Sequence, residues 1–295
     1  MPGKTVNSAI LLLIIGNMMA LISDVFVKTL SSDTPIFQFI FLRSLITILL
    51  LLPFFALINR QALFAGWRLH TLRAHINLLT IVGTIVALGS LPLATANAIF
   101  YGAPLLVMLL AALCFGERLT RMSVIAVVSG FAGVMAILRP VEFGWGAIAA
   151  LIAALGLALS ALLVRRLPPE QSLVHKLLLS YLLLMPACFI AMLIEGVDWQ
   201  AAALVNAAGS ALFILGYNVT VLLAYRQVDA SKVTSAEYTG LLGAVTVGWI
   251  WFAEVPDIWF VSGTLLVILP LIVVGWQHRG SQLRRLQQNM PDREK

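Results

Sequence analysis

Residues Pro92 to Thr120 read PLATANAIFYGAPLLVMLLAALCFGERLT, a nearly unbroken apolar run that stops at Gly116-Glu117-Arg118. Residues Asp229 to Pro256 read DASKVTSAEYTGLLGAVTVGWIWFAEVP, with the same order of a small-residue entry, a long apolar run, and then Ala253-Glu254. Glu117 and Glu254 are separated by 254 − 117 = 137 positions, and the same offset carries Ser23 onto Ser160, Lys28 onto Arg165 and Tyr101 onto Tyr238. The spacing describes one half followed by a diverged copy of itself.

Composition sets the solvent. Hydrophobic residues make up 61% of the chain and charged residues 11%, with a mean hydropathy of +0.99. A soluble core does not require so much apolar surface, and the charges fall between apolar runs of about 20 residues, the length of a helix that crosses a bilayer. Ten such runs are expected, at about 8–30, 35–57, 72–90, 93–115, 120–138, 144–164, 173–194, 205–225, 231–252 and 258–277. The first is too long for a signal-peptide core and no small-residue cleavage site follows it, so it is read as a span. Cys114 and Cys188 lie inside apolar runs, which reads as packing and not as a disulfide framework or a zinc site.

The net charge of +6 is accounted for by orientation, without nucleic acid. With a cytoplasmic N-terminus, the inside segments hold Lys4, Arg60, Arg68, Arg73, Arg118, Arg121, Arg165, Arg166, Lys176, Arg226, Lys232 and the basic residues from Arg279 onward. The outside loops hold Asp33, Glu142, Glu195, Asp198 and Asp257. This is the positive-inside pattern, with both termini cytoplasmic. Five spans per half is an odd number, so the second half must insert upside down, placing Glu117 at the inner end and Glu254 at the outer end. The expected fold is an all-α polytopic membrane protein of two inverted five-helix repeats, 1–139 and 140–277, with a basic tail at 278–295 that meets water and lipid headgroups. Transporters commonly use that architecture, with the solute site near mid-membrane between the halves.

The same residues carry a resemblance. Pro104 to Glu117 with the continuation Arg118-Leu119-Thr120, then Gly130 and Gly133, is similar to the drug/metabolite transporter superfamily in its EamA branch. Phe41-Leu42-Arg43 before Pro53, and Ser23-Asp24 with Lys28, are also similar. Val228-Asp229-Ala230, Glu237-Tyr238 and Glu254-Val255-Pro256-Asp257 resemble the subgroup that contains bacterial S-adenosylmethionine uptake carriers, although this chain has Gly240 where many members have Glu. The resemblance spans essentially the whole chain. It implies ten helices, an inner-membrane location and metabolite transport.

Charges within spans are costly and mark sites. Asp24 and Lys28 are four apart on one helical face, and Arg43 lies roughly 12 Å below the outer start of span two at 1.5 Å per residue. Asp24 and Arg43 thus share a depth on consecutive helices, as a structural ion pair or as a pair lining the outer vestibule. Glu237 has no charged partner at its depth in span nine and is the candidate for proton coupling or for holding a cationic cargo. Tyr101 and Tyr238 are repeat mates that can flank one cavity. Asn97, Tyr217 and Asn218 are polar groups within spans that need partners, on a neighbouring helix or on a solute. Lys28 and Arg165 read as snorkelling anchors, His75 as interfacial, and Trp145, Trp249, Trp251 and Trp259 as an interfacial belt.

There is no GxxxxGK[ST], HExxH or GxSxG sequence and no Cys/His metal spacing. The expectation is a secondary carrier without cofactor or metal, acting as monomer or homodimer on a small-molecule metabolite that is amino-acid-like, amine-bearing or purine-bearing. Export of amino acids and carriage of a neutral vitamin such as riboflavin are the alternatives within the class. An intramembrane enzyme or a channel is the alternative outside it.

Overall fold

The computed structural model describes residues 2–30, 34–116, 119–138, 144–196, 198–227 and 239–288. Glu117, Lys232, Glu237, Tyr238 and the end of the tail lie outside the described residues. Among those described, the secondary structure is entirely helical. We label the α-helices α1 (Pro2–Lys28), α2 (Ile36–Leu51), α3 (Trp67–Ser90), α4 (Leu93–Phe100), α5 (Ala103–Phe115), α6 (Arg121–Leu138), α7 (Trp145–Val164), α8 (Leu173–Glu195), α9 (Ala201–Gln227), α10 (Thr239–Phe252) and α11 (Ile258–Gln288). Eight segments are long and apolar enough to cross a membrane, with Leu93–Phe115 counted as one, and Thr239–Phe252 and Ile258–Val274 are shorter apolar helices at the ninth and tenth expected positions.

The segment from Leu93 to Phe115 is divided for a local reason. Pro104 has no N–H to give to the preceding turn, and Gly102 instead donates to the Ile99 carbonyl at 2.9 Å. The division leaves Tyr101 at the junction of α4 and α5.

Packing partners exchange between the halves. Helix α1 packs along α9 and α3 along α7, while α6 pairs with α11 and α2 with both α8 and α9. Individual contacts repeat at the offset of 137 seen in the sequence. A Cβ on Gly16 would meet Thr220, and one on Gly83 would meet Ala153. Adding 137 to Gly16 and Gly83 gives Ala153 and Thr220. The hydroxyls of Ser23 and Ser210 lie 2.8 Å apart, and the mates of that pair, Ser160 and Arg73, are joined by a 3.1 Å hydrogen bond from Arg73 Nε. Gln38 Oε1 accepts from the Gln200 N–H, and at the mate positions His175 Nε2 donates to the Leu63 carbonyl. Ser129 donates to the carbonyl of its own mate, Leu266, at 2.9 Å.

One apolar core of leucine, isoleucine, phenylalanine and alanine side chains runs through helices of both halves. Large apolar side chains also cover the outside, among them Trp145, Ile194, Trp249, Trp251 and Trp259. An outer surface of this kind suits lipid, not water.

Close helix approach gives a direct test. At Gly83 a Cβ would lie 2.7 Å from the Ala149 carbonyl oxygen, whereas at Gly89, on the same helix, it would meet nothing within 4 Å. Gly83→Ala is expected to cost about 1–3 kcal/mol through forced separation of α3 from α7. Gly89→Ala should be neutral or stabilise by up to about 1 kcal/mol through helix propensity. Thermal unfolding of both variants in detergent checks the contrast.

Candidate functional site

The site begins where α1 and α3 end and α4 starts. Lys28, the last residue of α1, places Nζ 3.0 Å from Glu254 Oε1. The same ammonium donates to the carbonyls of Leu88 at 3.1 Å and Leu91 at 2.8 Å. These belong to the C-terminal end of α3, whose orphan carbonyls and negative dipole end favour a cation. Glu254 Oε2 accepts the Leu93 N–H at 2.7 Å, capping the opening turn of α4, where an anion is favoured. The Phe252 ring lies 5.3 Å from Lys28 Nζ. Ala253 turns the chain with φ 55, in the left-handed region that a non-glycine residue rarely adopts, and this brings Glu254 back over the helix ends. Lys28 is therefore not the snorkelling anchor expected from its terminal position. It is drawn inward because two carbonyls and a carboxylate converge there.

A polar ladder descends from this clamp. On α1 the residues are Lys28, Asp24 and Asn17, separated by four and seven positions and so on one face. On α4 they are Leu93, Asn97 and Tyr101, separated by four and four. Asn97 lies beside Asp24 as its hydrogen-bonding neighbour, and its amide also donates to the Leu93 carbonyl at 3.1 Å. One level further down, Asn17 Nδ2 donates to Thr239 Oγ1 at 3.2 Å. Tyr101 and Asn17 close over Gly240, where any Cβ would strike the Tyr101 hydroxyl.

Arg43, on α2, is buried and faces Asp24 from the side. Asp24 and Arg43 attract each other, but the contact ion pair expected between them is absent. The one contact ion pair among the described residues joins Lys28 to Glu254. The reason lies in the packing: Asn97 on α4 takes up Asp24.

A second polar layer lies toward the opposite end, between α3, α7 and α8. Arg73 donates from Nε to Ser160 at 3.1 Å and from Nη1 to Ser180 at 2.7 Å. Gln171 gives its amide to the Ala62 and Ala65 carbonyls, so its Oε1 must accept from His70 Nε2 at 2.8 Å. Charge counting places Arg73 among the inside segments, at the start of span three, and its side chain is partly buried within the bundle. Its signal was available: its offset mate is Ser210, the partner of Ser23, and Ser180 is the mate of Arg43. His175 carries the same kind of signal as the offset mate of the buried Gln38, whereas the buried His70 carries none.

Of the remaining candidates, Tyr217 packs against α1 beside Gly16. Asn218 spends its amide on the Ile214 carbonyl of its own helix at 2.8 Å. His75 is exposed and bonded to the Thr71 carbonyl, in keeping with an interfacial residue. Glu237 and Tyr238 fall outside the described residues. Among the described residues no three metal-ligating side chains come together.

An apolar-coated helical bundle with polar side chains of both halves facing one another in its interior defines a multi-pass membrane transporter. The EamA-like transporter family matches the chain twice, over residues 7–139 and 142–276, and the chain belongs to that family. It is 25% identical to a pseudopaline exporter of Pseudomonas aeruginosa strain UCBPP-PA14 over 286 residues, covering 93% of this chain and 98% of the relative. It is 24% identical to an S-adenosylmethionine uptake transporter of Rickettsia prowazekii over 266 residues, covering 88% and 90%. A riboflavin transporter of Rhizobium johnstonii is 29% identical over 216 residues, covering 68% of each chain. A solved crystal structure shares the fold, with a TM-score of 0.57 at 19% identity over 90% of this chain and 97% of its own.

The clamp has two separable parts. Glu254→Ala removes the counter-ion of Lys28 and the cap of α4 together, and is expected to destabilise by about 3 kcal/mol. Glu254→Gln keeps an oxygen for the Leu93 N–H and should lose about half as much. A double-mutant cycle with Lys28→Met, read by thermal unfolding, should give a coupling of about 1–3 kcal/mol.

Proposed function

We propose that the protein is a secondary transporter that moves a small polar organic metabolite across the inner membrane by alternating access. The two halves, 1–139 and 140–277, act as inverted repeats of five spans with both termini cytoplasmic, and they rock about the polar ladder between them. The observation that carries this reading is the Lys28–Glu254 clamp, which ties the end of the first half's α1 to the second half's α10 directly above Asp24, Asn97 and Tyr101. In this reading the clamp closes the outer end while the cargo is exchanged from within. The cargo is amino-acid-like, amine-bearing or purine-bearing, with S-adenosylmethionine a member of that class. Glu237 serves as its anionic contact and proton-coupling group, and Tyr101 and Tyr238 as its aromatic walls. Asn97, Arg43, Tyr217 and Asn218 complete the contacts, and the chain works as a monomer or homodimer.

The relatives' names support transport of small metabolites, one by uptake and one by export, so direction is left to experiment. The riboflavin transporter among them favours a neutral planar vitamin as the second reading.

Three measurements test this function. In sealed proteoliposomes, labelled S-adenosylmethionine, amino acids and riboflavin should be scored for both accumulation and chemical change. Altered product without net movement would make the protein an enzyme. Glu237→Gln should lower the transport rate about tenfold or more and flatten its pH response; an unchanged rate and response removes Glu237 from the mechanism. In a background of Cys114→Ser and Cys188→Ala, Asn97→Cys should resist a membrane-impermeant thiol reagent added outside. Adding Glu254→Gln should open that position to labelling.

A further inference from the structure

Two buried histidines hold the connector between α2 and α3, residues 52–66, at the end opposite the Lys28–Glu254 clamp. His70 is 0% exposed and His175 1%. Pro53, which cannot donate to a preceding turn, ends α2, and the chain continues through two short 3-10 turns, Leu52–Leu57 and Arg60–Ala62. The carbonyls of this connector meet side chains from the second half of the chain. Gln171 gives both amide hydrogens, to Ala62 at 2.9 Å and to Ala65 at 3.1 Å. His175 Nε2 faces the Leu63 carbonyl at 3.2 Å, and His70 Nε2 faces Gln171 Oε1 at 2.8 Å. Both oxygens can only accept, so each imidazole carries a proton on Nε2. Both Nδ1 atoms are shut off from solvent without a hydrogen-bond partner.

A second proton on either ring would be a buried N–H with no acceptor, on a cation set among cations. Arg73 stands one turn along α3 from His70, and Lys176 is next to His175 on α8. Arg60 on the connector, Arg68 at the start of α3, and Arg165 and Arg166 at the end of α7 are exposed. Glu170, the carboxylate of the loop that bears Gln171, is exposed as well, and Tyr181 lies further along α8. The repeat supplies a contrast. At the mate positions, toward the clamp end, the Gln200 N–H donates to Gln38 Oε1 at 3.2 Å, so the equivalent tie there uses a side chain that does not titrate. We propose that His70 and His175 form a proton-binding site, and that protonation releases the connector from α8 and from the loop at 167–172. The inference depends on neither the cargo nor transport. Its sign follows from the geometry. The closed contact needs neutral rings, whereas rings exposed by opening bind a proton near the ordinary histidine value of about 6.5. Closure is therefore complete above about pH 7 and is lost as pH falls below about 6, by up to about tenfold per pH unit for each ring.

Hydrogen exchange of the full-length protein in lipid nanodiscs reads the connector directly. The N–H groups of Ile58, Ala62, Ala65 and Trp67 are bonded to carbonyls of the connector itself and should exchange through its opening. Corrected for intrinsic exchange, that opening should rise about tenfold or more from about pH 7.5 to about pH 5.5. His70→Gln and His175→Gln each keep an amide N–H for the oxygen now held, and use the residue type found at the clamp end. Each should roughly halve the response on a logarithmic scale, and the double variant should change by less than about twofold over the same range. His75→Gln, at an exposed ring on the same helix, should respond as the wild type does.

Corrected exchange that stays level over this range overturns the proposal, as does a double variant that responds like the wild type. Where a variant is already open at the alkaline end, histidine nitrogen NMR of the wild type decides. Both rings should hold the Nε2 proton alone at that end, and gain the second proton over the same range in which the connector opens. Two charged rings beside a connector that is still protected overturn the proposal. That result makes the pair structural ties and leaves the transporter reading untouched.

Discussion

The Lys28–Glu254 ion pair is the contact through which the end of the bundle holds together. Helix ends within a membrane protein carry N–H and C=O groups that water cannot reach, and each must find a partner in the protein. The pair meets that requirement for two helix ends at once. Lys28 covers the last carbonyls of α3, Glu254 covers the first N–H of α4, and each neutralises the other. Neither charge would be tolerable there alone, and together they join α1 to α10 across the two halves of the chain.

The polar groups proposed to meet the cargo lie below that contact. Asp24 and Asn97 share one level, and Tyr101, Asn17 and Thr239 share the next, because helical periodicity on α1 and α4 keeps each set on one face. The break at Gly102 and Pro104 places Tyr101 at a helix junction, where its hydroxyl reaches Gly240. The opposite layer uses a different chemistry, with Arg73 held by serines and His70 held by Gln171. The two layers are related by the repeat in position but not in residue type.

Much of the fold was legible in residue order. The long apolar runs marked where helices form, and the offset of 137 read from residue order recurs in contacts such as Ser23 with Ser210 and Arg73 with Ser160. The candidate site was legible only in part. Asp24, Arg43, Asn97 and Tyr101 stand out as polar groups in apolar runs, and they do converge. Their mutual arrangement was not readable, because Asp24 lies beside Asn97 and not in contact with Arg43. Arg73 stood out only as an inside charge, and the burial of His70 and His175 depends on contacts with Gln171 and Leu63 that local sequence does not encode.

Sequence alone determined where the apolar runs fall and that they form helices, because the hydrocarbon thickness and the obligatory backbone hydrogen bonds leave few alternatives. It also determined that the two halves share a pattern. Only the tertiary structure decided which charges meet. Lys28 has an acid four residues away on its own helix, yet it pairs with Glu254, 254 − 28 = 226 positions distant. The reason is that a helix C-terminus, a helix N-terminus and a carboxylate converge at that point in space, and no local spacing encodes that convergence.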